Sequence, residues 1–220
     1  MKEQEPRDSD SSRIEKNQSE QLIEKLPISE QQKIDIALLE MGFKDLVDIP
    51  LGYDLDEVKA PERQRQICVL LEGVSSLGLV HSPVENEDLD LFVAKSKDKL
   101  AKAYAFRVLG EKDSADRDRL YGELFGFPET AIRNYTEAMA LLRKPDQSAD
   151  EIVEILKDRF IEVGELPAEI KEQDFLKFLS FRLSRKNWEQ ELGIVQEWAA
   201  ALRNFYPALY REVLESKKVK

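Results

Sequence analysis

From Ser96 to the end of the chain, apolar residues return at steps of three and four in short blocks, each opened by a serine or proline and most closed by a glycine or proline. Such punctuation admits a stack of short helices and little else. Ser96 opens the first block, through Leu100, Ala103, Tyr104, Val108 and Leu109 to Gly110, and Ser114 opens the next, with Leu120, Leu124 and Phe125 ahead of Gly126. Pro128 starts a third, carrying Ala131, Ile132, Tyr135, Met139 and Leu142. Ser148 and Glu151 make a capping box before Ile152, Ile155, Leu156 and Phe160, with Gly164 as the expected stop. A more polar piece from Pro167 leads into Phe175, Phe178, Leu179 and Leu183. The longest helix is expected near Ser184, with Trp188, Leu192, Val195, Ala199, Leu202 and Phe205 on one stripe, and Pro207 starts the last, with Leu209, Tyr210, Val213 and Leu214. No repeat of constant period is present.

The first 95 residues are less uniform. Ser29 as N-cap, Gln32 at the capping-box position and Gly42 beyond Met41 predict a helix over 29–41. Phe43, Leu46 and Val47 mark a short element, followed by a turn at IPLGYD. Pro61 at a first helical position predicts a second helix whose buried face is Ile67, Val69, Leu70, Leu71 and Val74. The texture then changes: LGLVHSPV and DLDLFVAKS are short, apolar and bounded by turn residues, with Leu89, Leu91 and Val93 alternating against Asp88, Asp90 and Phe92. They predict a small β-hairpin within 77–95. Residues 1–20 offer only Met1 and Ile14 as large apolar side chains, which reads as a disordered arm. The expected organisation is that arm, a single mainly α, multi-helix domain over 21–216, and a basic tail over 217–220.

Composition narrows the function. The chain has 33 Lys and Arg against 44 Asp and Glu, a net charge of −11, so its field opposes the approach of nucleic-acid phosphates. The local exception is the basic patch of Arg182, Arg185 and Lys186. No apolar run approaches the roughly 18 residues that span a bilayer, and the first twenty residues hold no apolar export segment, which points to the cytoplasm. One cysteine and one histidine fall short of the roughly four ligands of a structural zinc site. Glycine-rich phosphate loops are absent. No metal and no cofactor is expected.

Residues able to carry chemistry are few. His81 is the single group that titrates near neutrality, in LVHSPV beside Glu85 and Glu87. Its bland reading is a capping or surface residue of a loop. Cys68, within ICVLL, reads as part of an apolar helix face. The acidic groups Asp54, Asp56 and Glu57, then Glu85, Glu87, Asp88 and Asp90, then Asp113, Asp116 and Asp118, match no cation-loop template, and the last complements a helix N-terminus.

The most distinctive stretch is LYGELFGFPETAIRNYTEA, in which a helix stops at Gly126 and another starts at Pro128 after one aromatic residue. In Leu124, Gly126, Phe127, Pro128 and Ile132 it resembles the Gly-Tyr-Pro-x-Cys-Cys-Val segment of a family of uncharacterised prokaryotic proteins. Thr130 and Ala131 stand where that segment has its cysteines, so the resemblance implies no thiol chemistry here. The expected role is a non-catalytic helical module for protein interaction or self-association, with Phe127, Tyr135, Trp188 and Trp198 as partner-binding candidates. The competing reading is an enzyme of small molecules or metals, sited between the His81 loop and the Asp113–Tyr135 corner, with His81, Asp116 and Tyr121 as catalytic candidates. Nucleic-acid binding through Arg182–Lys186 is the third.

Overall fold

The structure, a computed structural model, describes residues 18–52, 57–58, 60–83, 89–108, 114–145 and 147–216. In chain order its elements are α1 (18–25), α2 (Glu30–Met41), β1 (Leu46–Pro50), α3 (Pro61–Ser76), β2 (Val80–His81), β3 (Asp90–Ala94), α4 (Lys97–Val108) and α5 (Ser114–Leu124). Next come α6 (Glu129–Leu142), α7 (Ala149–Arg159), β4 (Phe160–Ile161), α8 (Ala168–Lys171), β5 (Leu183–Ser184), α9 (Trp188–Phe205) and α10 (Pro207–Ser216). The fold is mainly helical with a small antiparallel sheet, as the punctuation predicts. Among the described residues no helix is long and apolar enough to cross a membrane.

Caps set the helix limits. Ser29 and Gln32 form the expected capping box on α2, and Ser148 and Glu151 form the one on α7. Each joins a hydroxyl to the N3 amide and the N3 side chain to the N-cap amide, satisfying donors that no helical carbonyl reaches. Gly42, at φ 88°, closes α2 with its own N–H on Leu39 O and the N–H of Phe43 on Leu38 O. Pro61 stands at the start of α3.

The predicted hairpin is present as β2 and β3, and it is joined by a third strand. β3 is central, with β1 and β2 antiparallel on either side. The sequence predicts a turn at Ile49–Pro50 after a short element. Instead both residues continue strand β1, Ile49 opposite Leu91 and Pro50 opposite Asp90. Proline is tolerated there because β1 is an edge strand. Alternation divides the sheet between two cores. Val47, Ile49, Leu91 and Val93 face the larger one, built with α1, α2, α3, α9 and α10. Leu46, Phe92 and Ala94 face a second, closed by Leu100, Ala103, Leu124 and Phe125 of the α4–α5 region. Both faces of β3 are therefore covered, which is why Phe92 is buried beside its apolar neighbours rather than set against them.

Other expectations need correction. Gln18, Ser19 and Glu20 lie in α1 rather than in a disordered arm; residues 1–17 and the basic tail 217–220 lie outside the described residues. Ser19 bonds Glu40 at 2.9 Å, and the Glu20 carboxylate accepts the Ala208 and Leu209 amides at 2.6 and 3.3 Å, capping α10. Helix α7 stops at Arg159 and not at Gly164, because Phe160 and Ile161 turn extended to pair with Ser184 and Leu183. Helix α9 begins at Trp188, since Leu183 and Ser184 are strand. On α3 the buried stripe is Ile67, Leu70 and Val74, which leaves Val69 and Cys68 exposed.

A candidate ligand cleft at the helical corner

The corner between α5 and α6 is a Schellman turn: Gly126, at φ 71°, donates to Glu123 O at 3.2 Å and Phe127 donates to Gly122 O at 2.9 Å. The turn lies against the chain leaving α2, where the Asp45 amide bonds Leu124 O at 2.9 Å. Aromatic rings gather here. Tyr121 stacks on Phe125 at a centroid distance of 4.1 Å, and Phe127 meets Phe181 at 5.4 Å. Phe181 belongs to the strap 179–182 that runs from the 3₁₀ turn Asp174–Phe178 into β5. That strap is anchored from behind. The fully buried Glu191 carboxylate of α9 accepts the Ser184 amide at 2.7 Å and the Ser184 hydroxyl, and Phe181 packs edge-on against Trp198 at 6.0 Å.

Between the corner and the strap lies a cleft of two joined hollows. The first, about 430 Å³, is apolar: Tyr121, Gly122, Ala131, Ile132 and Tyr135 face Phe181 across it. The second, about 670 Å³, reaches the sheet and is polar, with Asp35, Lys44, Asp48 and Asp90. Tyr121, Phe127, Ser180, Phe181 and Arg182 line both. The first falls within the roughly 300–1,000 Å³ usual for ligand sites.

The charges in the second hollow are arranged by the backbone. Asp48 stands in β1 between Leu46 and Pro50, and Asp90 stands across from Pro50, so alternation puts both carboxylates on the face that bears Phe92. Lys44 comes directly after the turn closing α2. Its ammonium donates to Asp35 Oδ1 at 2.6 Å and lies 5.3–5.9 Å from the centroids of Trp198, Phe127 and Phe125, with the side chain only 1% exposed. It joins four segments and lies beneath the surface of the cleft. Arg182 is the reverse case. Its guanidinium lies 5.5 Å from the Phe160 ring centroid and has no carboxylate partner among the described residues. Two further groups await a partner there, since Ser180 Oγ and Gln31 Nε2 are buried with no hydrogen bond among the described residues.

The phenol of Tyr121 is pushed up to about 12, by burial first and then by the carboxylates of Asp48 and Asp35. The fold favours the neutral phenol. The stability this group supplies is complete below about pH 10, its ordinary value, and is lost as pH rises towards 12. Ultraviolet titration of the protein against its Tyr121→Phe variant is expected to differ by one phenol ionising near pH 12; a difference near pH 10 would contradict this placement.

The cleft unites some of the sequence candidates and separates others. Tyr121, Phe127 and Tyr135 come together in it, with Asp118, whose carboxylate is held by Arg143 at 2.7 Å. Asp116 is exposed and lines neither hollow, and neither does His81, which sits in β2 with Nδ1 2.8 Å from Ser82 O. A site shared by His81 and the corner therefore does not form in this cleft. Trp198 is buried in the main core and Trp188 packs on the small cluster of Leu166, Leu183 and Leu192. Glu85, Glu87, Asp88, Asp113, Asp54 and Asp56 lie outside the described residues. Among those described, no group of three or more His, Cys, Asp or Glu side chains is placed to hold a metal ion. The residues that sequence reasoning did not select for the cleft are Lys44, Asp48, Asp90, Ser180 and Phe181; Asp48, in the middle of the apolar run LVDIP, is the one carrying a signal, because strands are depleted in aspartate.

No family model, no curated protein and no solved structure matches the chain.

Proposed function

We propose that the protein is a helical binding module without a catalytic step, and that the cleft between the α5–α6 corner and the strap 179–182 takes up an apolar group of its ligand. The observation that carries this reading is the first hollow itself, where rings of Tyr121, Phe127, Tyr135 and Phe181 surround about 430 Å³ beside an arginine that no described carboxylate neutralises. Aromatic walls with a few convergent polar groups are the usual make-up of a small-molecule site. With Trp198 buried and Trp188 packed on the small cluster, the aromatic residues that remain open to a partner concentrate in this cleft. The basic patch favours nucleic acid less, because Arg185 is committed to Lys157 O and to Glu165, at 2.6 and 3.0 Å.

The test is amide-resolved NMR of the full chain during addition of phenol, indole and toluene. Shifts are expected at Gly122, Ala131 and Ser180, and Tyr135→Ala should weaken them while the circular-dichroism spectrum is kept. If none of the three compounds moves those amides, the cleft is not a binding site.

A further inference from the structure

We infer that the ligand of this cleft is a free apolar α-amino acid, held as a zwitterion. The inference rests on the binding reading above and adds the chemistry of the ligand. Its ground is the way charge is distributed about the two hollows. The apolar hollow opens into the polar one across Tyr121, Phe127, Ser180, Phe181 and Arg182, so a molecule seated in the first presents its head group to the second.

That second hollow offers both signs of charge. Arg182 supplies a planar set of donors suited to a carboxylate, and the buried Ser180 hydroxyl, without a partner among the described residues, stands beside it in the sequence of the strap. Opposite them, Asp48 and Asp90 come from adjacent strands. Asp48 pairs with Phe92, so Asp90 is its diagonal neighbour, about 7–8 Å away on one sheet face. Two carboxylates at that spacing repel, and a cation between them relieves the repulsion. Lys44 is bonded to Asp35 and boxed by three rings. A ligand with only a negative head group would meet Asp48 and Asp90, and one with only a positive head group would meet Arg182. An α-ammonium with an α-carboxylate answers both, and the walls of Ala131, Ile132, Tyr135 and Phe181 suit an aromatic or branched side chain.

The experiment is calorimetric titration of the full chain with L-phenylalanine, L-leucine and L-tryptophan, compared with phenethylamine, which lacks the carboxylate, and 3-phenylpropionate, which lacks the ammonium. At least one amino acid is expected to bind, with each truncated analogue weaker by about tenfold or more, the loss of one charge-assisted contact. Arg182→Gln should erase the advantage over phenethylamine, and Asp90→Asn the advantage over 3-phenylpropionate; both positions are exposed, and circular dichroism checks that the variants fold. Equal binding of L-phenylalanine and its two analogues, or no amino acid binding while phenol or indole still moves the cleft amides, overturns the zwitterion and leaves the binding module standing. If neither amino acids nor the neutral aromatics bind, both readings fall.

Discussion

Gly126→Ala is expected to destabilise the fold by more than about 3 kcal/mol, enough to remove a cooperative melting transition from a domain of ordinary stability. Two effects add. A residue with a Cβ at φ 71° costs roughly 1–2 kcal/mol by crowding of its own backbone. The second effect is larger, because that Cβ would lie 2.0 Å from Phe43 O and 3.1 Å from Phe43 C, inside contact distance of backbone rather than of a movable side chain. Phe43 cannot yield: its amide is bonded to Leu38 O, and two residues later the Asp45 amide is bonded to Leu124 O, both at 2.9 Å. Gly78→Ala is the control, since Gly78 has φ 72° and nothing within 4 Å of an added Cβ. Urea melts of the two variants separate conformational cost from collision. If Gly126→Ala loses no more than Gly78→Ala, the approach of the corner to Phe43 is wrong.

Lys44→Met should cost about 3 kcal/mol, the lower end of the range for deleting one member of a buried ion pair. Methionine keeps most of the apolar stem, so the loss isolates the ammonium. Gone are its bond to Asp35 and its contacts with the faces of Phe125, Phe127 and Trp198, each worth about 0.5–2 kcal/mol when desolvated. Left behind is the Asp35 carboxylate, 18% exposed and sharing its hollow with Asp48 and Asp90. Removing that orphaned charge as well should restore stability, so Asp35→Asn combined with Lys44→Met is expected to be more stable than Lys44→Met alone. A single variant as stable as the parent in urea would show that Lys44 is not the junction of α2, the corner and α9.

Much of the helical architecture was legible because it is written in local signals. Ser29 with Gln32, Ser148 with Glu151, Pro61, Pro207 and Gly126 each act within a few residues of themselves, and a reader of the sequence meets cause and effect together. What was not legible depends on partners far along the chain. Strand β1 exists because β3, more than forty residues later, supplies its ladder, and LVDIP alone carries both an aspartate and a proline. Phe160 leaves the helical pattern because Ser184 is there to pair with it. The cleft is half local, in Tyr121, Phe127 and Tyr135 on one corner, and half distant, in the strap of Ser180–Arg182 that Glu191 and Trp198 hold in place. Cys68 illustrates a smaller difficulty: in ICVLL every residue is apolar, and only the direction of the core decides which of them faces water.

The bond from Glu20 to the Ala208 amide spans 188 positions of sequence, and this has a bearing on how the protein comes into being. A ribosome adding about 5–20 residues per second needs on the order of 10–40 s to travel from one end of that bond to the other. Throughout that interval the first helix has no terminal helix to cap, and the apolar side chains of Ile23 and Leu26 lack the surfaces of Leu209 and Val213 that share their core. The newborn chain must therefore keep an adhesive segment waiting until its last turn emerges, so the closing of the two ends is a late event of synthesis, and premature termination anywhere before α10 leaves that segment uncovered.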